Sequence, residues 1–554
     1  MGLSKVVLAA VLFAHLGAID REHVAYLMQS KEIDSAIELY EEYKTSLGRH
    51  DFEILQRMAM IILEQGVRSA DHEVQLLSLF GAAIAGLESS IDILEQGVRS
   101  TNGETQMASI QFLARMQDDR CDELLTKAMA SPFLMARMEA GFHLASRKHR
   151  KATGHIEALM YRIPHEFWFY FPQFFALIGT ADAIGILRQL MEDTNPMVRV
   201  EAILCAARYG RDDLLTKIRA HATHLHPDEQ EAAACALGIL KDSKSIPQLQ
   251  KLSTSPSTNV QLAALRSLYI LGEASVLEKV IGIAKTGNLF AIELLGDMPG
   301  SEEFLTSLLE NDTINIRMNA AMALLKRRDP RALPVIEEIL LRDTRDLGFQ
   351  PHASVGHSLT AWKVVPSLEL HQKALPYDLY GVSLNLREQL LIQCIELPQN
   401  RFLHVAHRIF DSRQYDLVPL LVALLENHQT DETIKLLKQK AHQAGSPQIR
   451  AYCNLSLFRL NQPGPYEKAV RDWIFQAKAT EMIRFRPSIP FNMRNADSPY
   501  ELTPEESSRL LIEAYQTLSD RHDTQAIDML LGAIKEGNPK NRYALAGLLI
   551  RAIQ

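Results

Sequence analysis

Hydrophobic residues recur along this chain at two nested periods. Within short stretches they fall three or four positions apart, the spacing of one helix face. The stretches themselves recur about every 31 residues. Stepping by that interval from Gln75 gives Gln106, Arg137, Trp168, Arg199, Gln230 and Gln261. Most of these open a segment of small and apolar residues, such as "RVEAILCAARYG" at Arg199, and Arg317 opens another, "RMNAAMALLKRRD". Seven residues past the anchors stand Ala82, Leu113, Leu144, Phe175, Ala206, Leu237, Leu268 and Leu324. Nineteen past them stand Leu94, Leu125, Ile156, Leu187, Ile218, Leu249, Val280 and Ile336. All of these are apolar in a chain that is 47% hydrophobic, so the register is not accidental.

Each unit splits into two predicted helices. The first carries apolar or small residues three, seven and ten past the anchor, the second sixteen, nineteen and twenty-two past it. Gly86, Gly179, Gly210 and Gly272, all eleven past an anchor, sit where a left-handed residue would end the first helix. The octapeptide "ILEQGVRS" occurs at 62–69 and again at 93–100. That spacing places both copies at the end of a second helix and its exit turn. A lone hairpin cannot bury both its stripes, but a stack of hairpins shares one continuous core. The expected fold is therefore all-α, an α-solenoid of stacked helical hairpins.

A two-helix unit of this length, with "NPMVRVEAILCAARYG" and "DTINIRMNAAMALLKRRDPRALPVIEEIL", resembles HEAT repeats. More narrowly, it resembles the short HEAT-like repeats of phycobilisome lyases. The resemblance covers 71–342 well and 386–475 loosely, through "IRAYCNLSLFRL". It implies a fold; such arrays host many unrelated functions.

The array departs from itself at several places. After Gln261 a weak unit is expected to anchor near Thr286, 25 residues on, with a bend near 284–300. Residues 343–385 contain Pro351, Pro366 and Pro376, which oppose a continuous helix, and are read as an insert. Residues 478–504 form a second insert rich in Arg, Pro and aromatics, after which Thr503 and Glu506 have the spacing of a helix-capping pair. The remaining boundaries are 1–18, a candidate signal peptide; 19–70, capping helices; 386–477, a degenerate helical region; and 505–554, closing helices. The last of these, "NRYALAGLLIRAIQ", is apolar on several sides, which calls for wrapping by earlier helices or docking on a partner.

Composition narrows the function class. The net charge of −8 and pI of about 6.2 give no global attraction to nucleic acid or an anionic membrane. An RNA-binding array is the least favoured of three readings. The five cysteines are odd in number and form no CxxC pair, against both a disulfide framework and a zinc ribbon. Lys5, the apolar run Val6–Ala14, and Gly17 with Ala18 have the layout of a secretory signal, so export is expected over a cytoplasmic location.

Candidate chemistry is thin. His221, His224 and His226 cluster beside Asp228, but in a connector, where polar residues are ordinary. His72-Glu73 and His165-Glu166 echo the His-Glu pairs of the HEAT-like enzyme deoxyhypusine hydroxylase, but they precede the anchor and the units between lack them. "GHSLT" at Gly356–Thr360 lacks the closing glycine of a nucleophile elbow. No catalytic residue, metal ligand or cofactor is expected. The inserts carry the residue types of contact sites, and Trp362, Lys363, Tyr377, Tyr380, Arg484 and Arg486 are the candidate partner-binding residues. The favoured function is a non-catalytic scaffold that binds another protein. The alternative is an enzyme or enzyme subunit resembling the phycobilisome lyases, which attach or detach a chromophore.

Overall fold

The computed structural model describes residues 21–342, 348–351, 378–412, 414–484 and 504–554. Among these residues the regular structure is all helical. The chain divides into two compact units. One comprises residues 1–143 with 441–554, the other 144–440. The repeat array read at 71–342 therefore contributes to both.

The anchor column has a physical basis. Gln75, Gln106, Arg199, Gln230, Arg317 and Arg450 are each the fourth residue of a first helix. Each donates from its side chain to the carbonyl six residues earlier, at 2.6–2.9 Å. The bond closes the link between one unit and the next and satisfies a carbonyl that the link leaves without a backbone partner. Gln and Arg serve equally because both place an N–H donor at the end of a long side chain. Trp168 fills the same column with an indole N–H, donated to Ile163 O at 3.2 Å.

The columns seven and nineteen past the anchor are the core. All sixteen residues are 2% exposed or less. The repeated octapeptide also resolves into packing. Gly66 and Gly97 end second helices, and a Cβ on either would collide with a serine of the next first helix, Ser78 and Ser109 respectively. The same helix crossing, made twice, uses the same glycine twice.

The four glycines eleven past the anchors all have positive φ, between 64° and 100°. Lys148, Lys241, Arg328 and Asn461 take the same left-handed place in other units, with φ of 51–60°. Paired backbone bonds hold them there. At Lys241, its own N–H reaches Gly238 O at 3.0 Å and that of Asp242 reaches Leu237 O at 3.0 Å. This helix-ending pair compensates the cost of the left-handed conformation in a residue with a Cβ.

The structure corrects the register after Gln261. Thr286 lies in a link, and the next first helix is Leu289–Leu295. Its fourth residue is Ile292, fully buried, a full 31 residues after Gln261. The shortfall comes afterwards, because Leu289–Leu295 has seven residues where the neighbouring first helices Thr258–Ile270 and Ile314–Lys326 have thirteen. The first insert ends earlier than read, since Asp378–Cys394 is a helix. Its start is packed: Phe349 is buried, the Gln350 N–H donates to Asn315 Oδ1 at 2.8 Å, and Asn319 donates to Gln350 O at 2.8 Å. The start of the second insert is packed too. Asn541 accepts from the Met482 N–H at 2.7 Å and donates to Thr480 O at 2.8 Å. The capping pair Thr503–Glu506 falls outside the described side chains, although the following helix does begin at Pro504.

Within the first unit, helix Arg542–Ala552 packs between Phe52–Val67 and His72–Ala85 and is buried along most of its length. It is wrapped, which settles one of the two alternatives open for its apolar surface. Small residues permit the approach. A Cβ on Gly66 would lie 2.5 Å from the Tyr543 ring, and Gly81 and Gly547 meet backbone to backbone. Around this core run Asp34–Arg542 at 2.9 Å, Glu38–Lys535 at 3.1 Å and Lys44–Asp528 at 2.5 Å. Solvent-exposed pairs of this kind contribute at most about 1 kcal/mol each, so the close helix crossing dominates.

Candidate partner-binding edge

The residues expected to touch a partner are mostly beyond reach of the structure. Trp362, Lys363, Tyr377 and Arg486 lie outside the described residues. Tyr380 falls on helix Asp378–Cys394, its side chain outside the description. Arg484 is half-buried in the first unit with its guanidinium 3.6 Å from Glu481, so it packs into the fold rather than projecting from it.

A different surface emerges in the second unit, along three consecutive links between repeats. The first link runs from Tyr161 into the 3-10 turn His165–Tyr170 and exposes Tyr161, Phe167 and Tyr170. The second exposes Met197, the third Leu225, which is 95% accessible. Single exposed apolar side chains are ordinary, but grouped ones mark interaction sites.

Local chemistry fixes each link. In the first, the Trp168 ring is wedged edge-on against Tyr161 and His165, with centroids 5.3 and 4.7 Å apart. In the second, Asn195 caps the helix that Pro196 starts and accepts from the Met197 N–H at 3.0 Å. Asp193 accepts from the Asn195 N–H at 2.7 Å. In the third, Gln230 holds His224 O and Pro227 starts the next helix.

Ionic contacts tie the links together beneath the apolar tips. His165 Nε2 lies 2.9 Å from Asp193. Arg199, which also holds the Asp193 carbonyl, pairs with Glu229 at 2.5 Å. Glu229 is fully buried and receives His221 at 2.9 Å, with His224 3.4 Å away. Burial pushes the Glu229 carboxyl up, but hydrogen bonds from Arg199 and His221 outweigh it and hold the group below its ordinary range. Two of the three clustered histidines thus serve a structural carboxylate. His226 occupies a helix N-cap without a side-chain bond. Among the described residues no group of three or more His, Cys, Asp or Glu could hold a metal ion. The cysteines are all buried, and burial pushes the Cys205 and Cys394 thiols up to about 12.

The first unit has a surface of its own. A groove of about 790 Å³ lies between helices Gly103–Leu113 and Leu134–Ser146, floored by Met107, Phe133 and Met135. Gly103 admits the Phe133 ring, which would stand 3.1 Å from a Cβ there.

The edge of the second unit was missed because large apolar residues in links read as core. The available signal was positional. Aromatic residues fill 167–170, where the other links are short and polar, and Leu225 stands alone between two histidines.

Comparison with known proteins agrees with this architecture. A model of HEAT repeats matches residues 288–348, and a model of the PBS lyase HEAT-like repeat matches 229–255. No curated protein sequence matches the chain. Among solved structures, the complex of CpcE and CpcF of phycocyanin lyase from Nostoc sp. is 16% identical, over 52% of this chain and 93% of that one, with a TM-score of 0.17. The karyopherin Kap121p bound to the SUMO protease Ulp1p is 14% identical, over 97% of this chain and 58% of that one, with a TM-score of 0.39. Among the described residues no helix is long and apolar enough to cross a membrane. With two repeat models falling on stacked hairpins, the chain is a HEAT-repeat α-solenoid whose short units resemble the PBS lyase repeat.

Proposed function

We propose that the protein is a non-catalytic scaffold that binds another protein along the link edge of its second unit. The observation that carries this reading is the row Tyr161, Phe167, Tyr170, Met197 and Leu225, exposed at three consecutive links over a buried ionic network. Rigid backbone beneath exposed aromatic and aliphatic tips is the arrangement of an interface hot spot, since little conformational freedom is lost on binding. The test pairs wild type with a Tyr170→Ser, Leu225→Ser double variant in affinity capture from the native cell, read by mass spectrometry. A protein retained by wild type and lost by the variant supports the edge. Equal retention by both would overturn it.

A second reading, a chromophore-lyase-like protein, is favoured by the PBS lyase repeat match at 229–255. It requires a visible absorption band when the protein is mixed with a bilin, and a flat spectrum removes it. Export is part of the same proposal. A native mass corresponding to a chain that begins after Ala18 supports it, and one that retains Val6–Ala14 opposes it.

A further inference from the structure

Most hairpin turns between first and second helices carry an acidic or hydroxylic residue, whereas one carries only basic residues. In most units the residues after the left-handed position include an acidic or hydroxylic one, and in several of them its side chain caps the second helix. Asp118 accepts from the Arg120 N–H at 2.7 Å, Thr180 from the Ala183 N–H at 3.4 Å, and Asp329 from the Arg331 N–H at 2.9 Å. Asp212 and Asp213 open the corresponding turn after Gly210, and Asp242 the one after Lys241. Such residues favour a helix start because its unpaired amides carry partial positive charge.

At residues 147–151 the sequence is Arg-Lys-His-Arg-Lys. Helix Ala152–Met160 begins on Lys151, with no side-chain cap and no acid in its first turn. Lys148, Arg150 and Lys151 are exposed, and none makes an ion pair among the described residues. In the 327–331 turn, by contrast, the cations are neutralised internally: Arg327 by Glu302, Arg328 by Glu396 and Arg331 by Asp329 and Glu303. The 147–151 turn is also stiff. Lys148 is left-handed at φ 51°, its N–H bonds Ala145 O at 2.9 Å, and that of His149 bonds Leu144 O at 3.0 Å. Positive charge is thus concentrated on a fixed loop where helix stability alone would select the opposite sign. A turn whose charge departs from the preference of a helix start is a candidate functional position.

We propose that this turn is a docking site for an acidic segment of a partner protein, received by Lys148, Arg150 and Lys151. The proposal rests on the protein-binding reading and assigns it a second contact, of a stated chemistry. Carboxylates would supply the anionic cap that helix Ala152–Met160 lacks and the counter-charges that the three cations lack. An acidic peptide is favoured over a nucleic acid or an anionic membrane. The patch is confined to one turn, whereas the molecule carries a net charge of −8 that repels an extended polyanion.

The test uses the full chain and fluorescence anisotropy with a labelled Glu/Asp-rich peptide, its Gln/Asn counterpart, single-stranded RNA, and vesicles containing phosphatidylserine. The triple variant Lys148→Gly, Arg150→Ser, Lys151→Asp keeps the left-handed turn and restores a cap. The expected result is salt-sensitive binding of the acidic peptide alone, weakened about tenfold or more in the variant, whose melting temperature is unchanged or higher. A simple structural role would move stability the other way. Should the triple variant misfold by circular dichroism, Lys151→Gln alone carries the binding test. Failure of wild type to prefer the acidic peptide, undiminished binding by the variant, or binding of RNA or vesicles in its place overturns the proposal. Because the Tyr170/Leu225 test reads a different surface, the scaffold reading survives or fails independently.

Discussion

Gly547 and Gly81 lie backbone to backbone. A Cβ on Gly547 would stand 2.9 Å from the Gly81 carbonyl carbon and closer still to its oxygen. The obstacle to a Cβ on Gly547 is main chain, which cannot swing away as a side chain could. Gly547→Val should therefore destabilise the first unit by at least ~2 kcal/mol, with Gly547→Ala intermediate. Urea unfolding gives the magnitude. Hydrogen exchange should show the loss in helices Phe52–Val67, His72–Ala85 and Arg542–Ala552, and retained protection there would show that the crossing is loose.

Lys241 is an exposed residue held in the left-handed region at φ 53°. A side chain there costs about 1–2 kcal/mol, and a glycine gives back about 0.5–1 kcal/mol in unfolded-chain entropy. Lys241→Gly should therefore leave the protein about 0.5–1 kcal/mol more stable. Thermal melting checks it: a lower midpoint would mean that the lysine side chain makes a contribution of its own.

Leu187 stands nineteen past Trp168 and is fully buried. Leu187→Asp would place a carboxylate in the core without a partner, costing several kcal/mol unless the group neutralises. Each repeat leans on its neighbours, so the damage should be greatest in repeats adjoining helix Ala181–Leu190. Circular dichroism and limited proteolysis read both extent and place. An unchanged melt would refute the register.

Asp242 receives Arg219 through two bonds of 2.7 Å, and this guanidinium holds its carboxyl below the usual carboxylate range. Because the folded pKa is depressed, its contribution is complete above the unfolded value of about 3.9 and is lost as pH falls through the folded one. Asp242→Asn should cost about 1–2 kcal/mol near neutral pH and less in acid, since Arg219 is partly exposed. Denaturant midpoints measured against pH decide it. A parallel downward shift at every pH would assign the loss to packing rather than charge.

The repeat was legible because its core columns obey a strict period, and residues such as Leu94 and Val280 announce themselves by spacing alone. The left-handed turns were half legible. Glycine signals that conformation in sequence, but Lys148, Lys241 and Arg328 reach it through backbone bonds that leave no mark on residue type. The short unit was misplaced because Ile292, lacking a donor, does not look like an anchor. The packing of helix Arg542–Ala552 against Gly66 and Gly81 was illegible, since a crossing of small residues distant in sequence has no local periodicity. Surface residues such as Leu225 were illegible by residue type, since an apolar side chain is the same letter whether it faces water or core; only its position in a link sets it apart.

The Gly81–Gly547 crossing also has a meaning in time. A ribosome adds roughly 5–20 residues per second, so roughly half a minute to a minute and a half separates the emergence of these two glycines. During that interval helices Phe52–Val67 and His72–Ala85 are already made, yet the surface destined for Tyr543 and Leu548 has nothing to cover it. The chain must be synthesised with its earliest apolar face waiting. In the cell, that face is where a nascent-chain chaperone would bind, and where a stalled or truncated product would begin to aggregate.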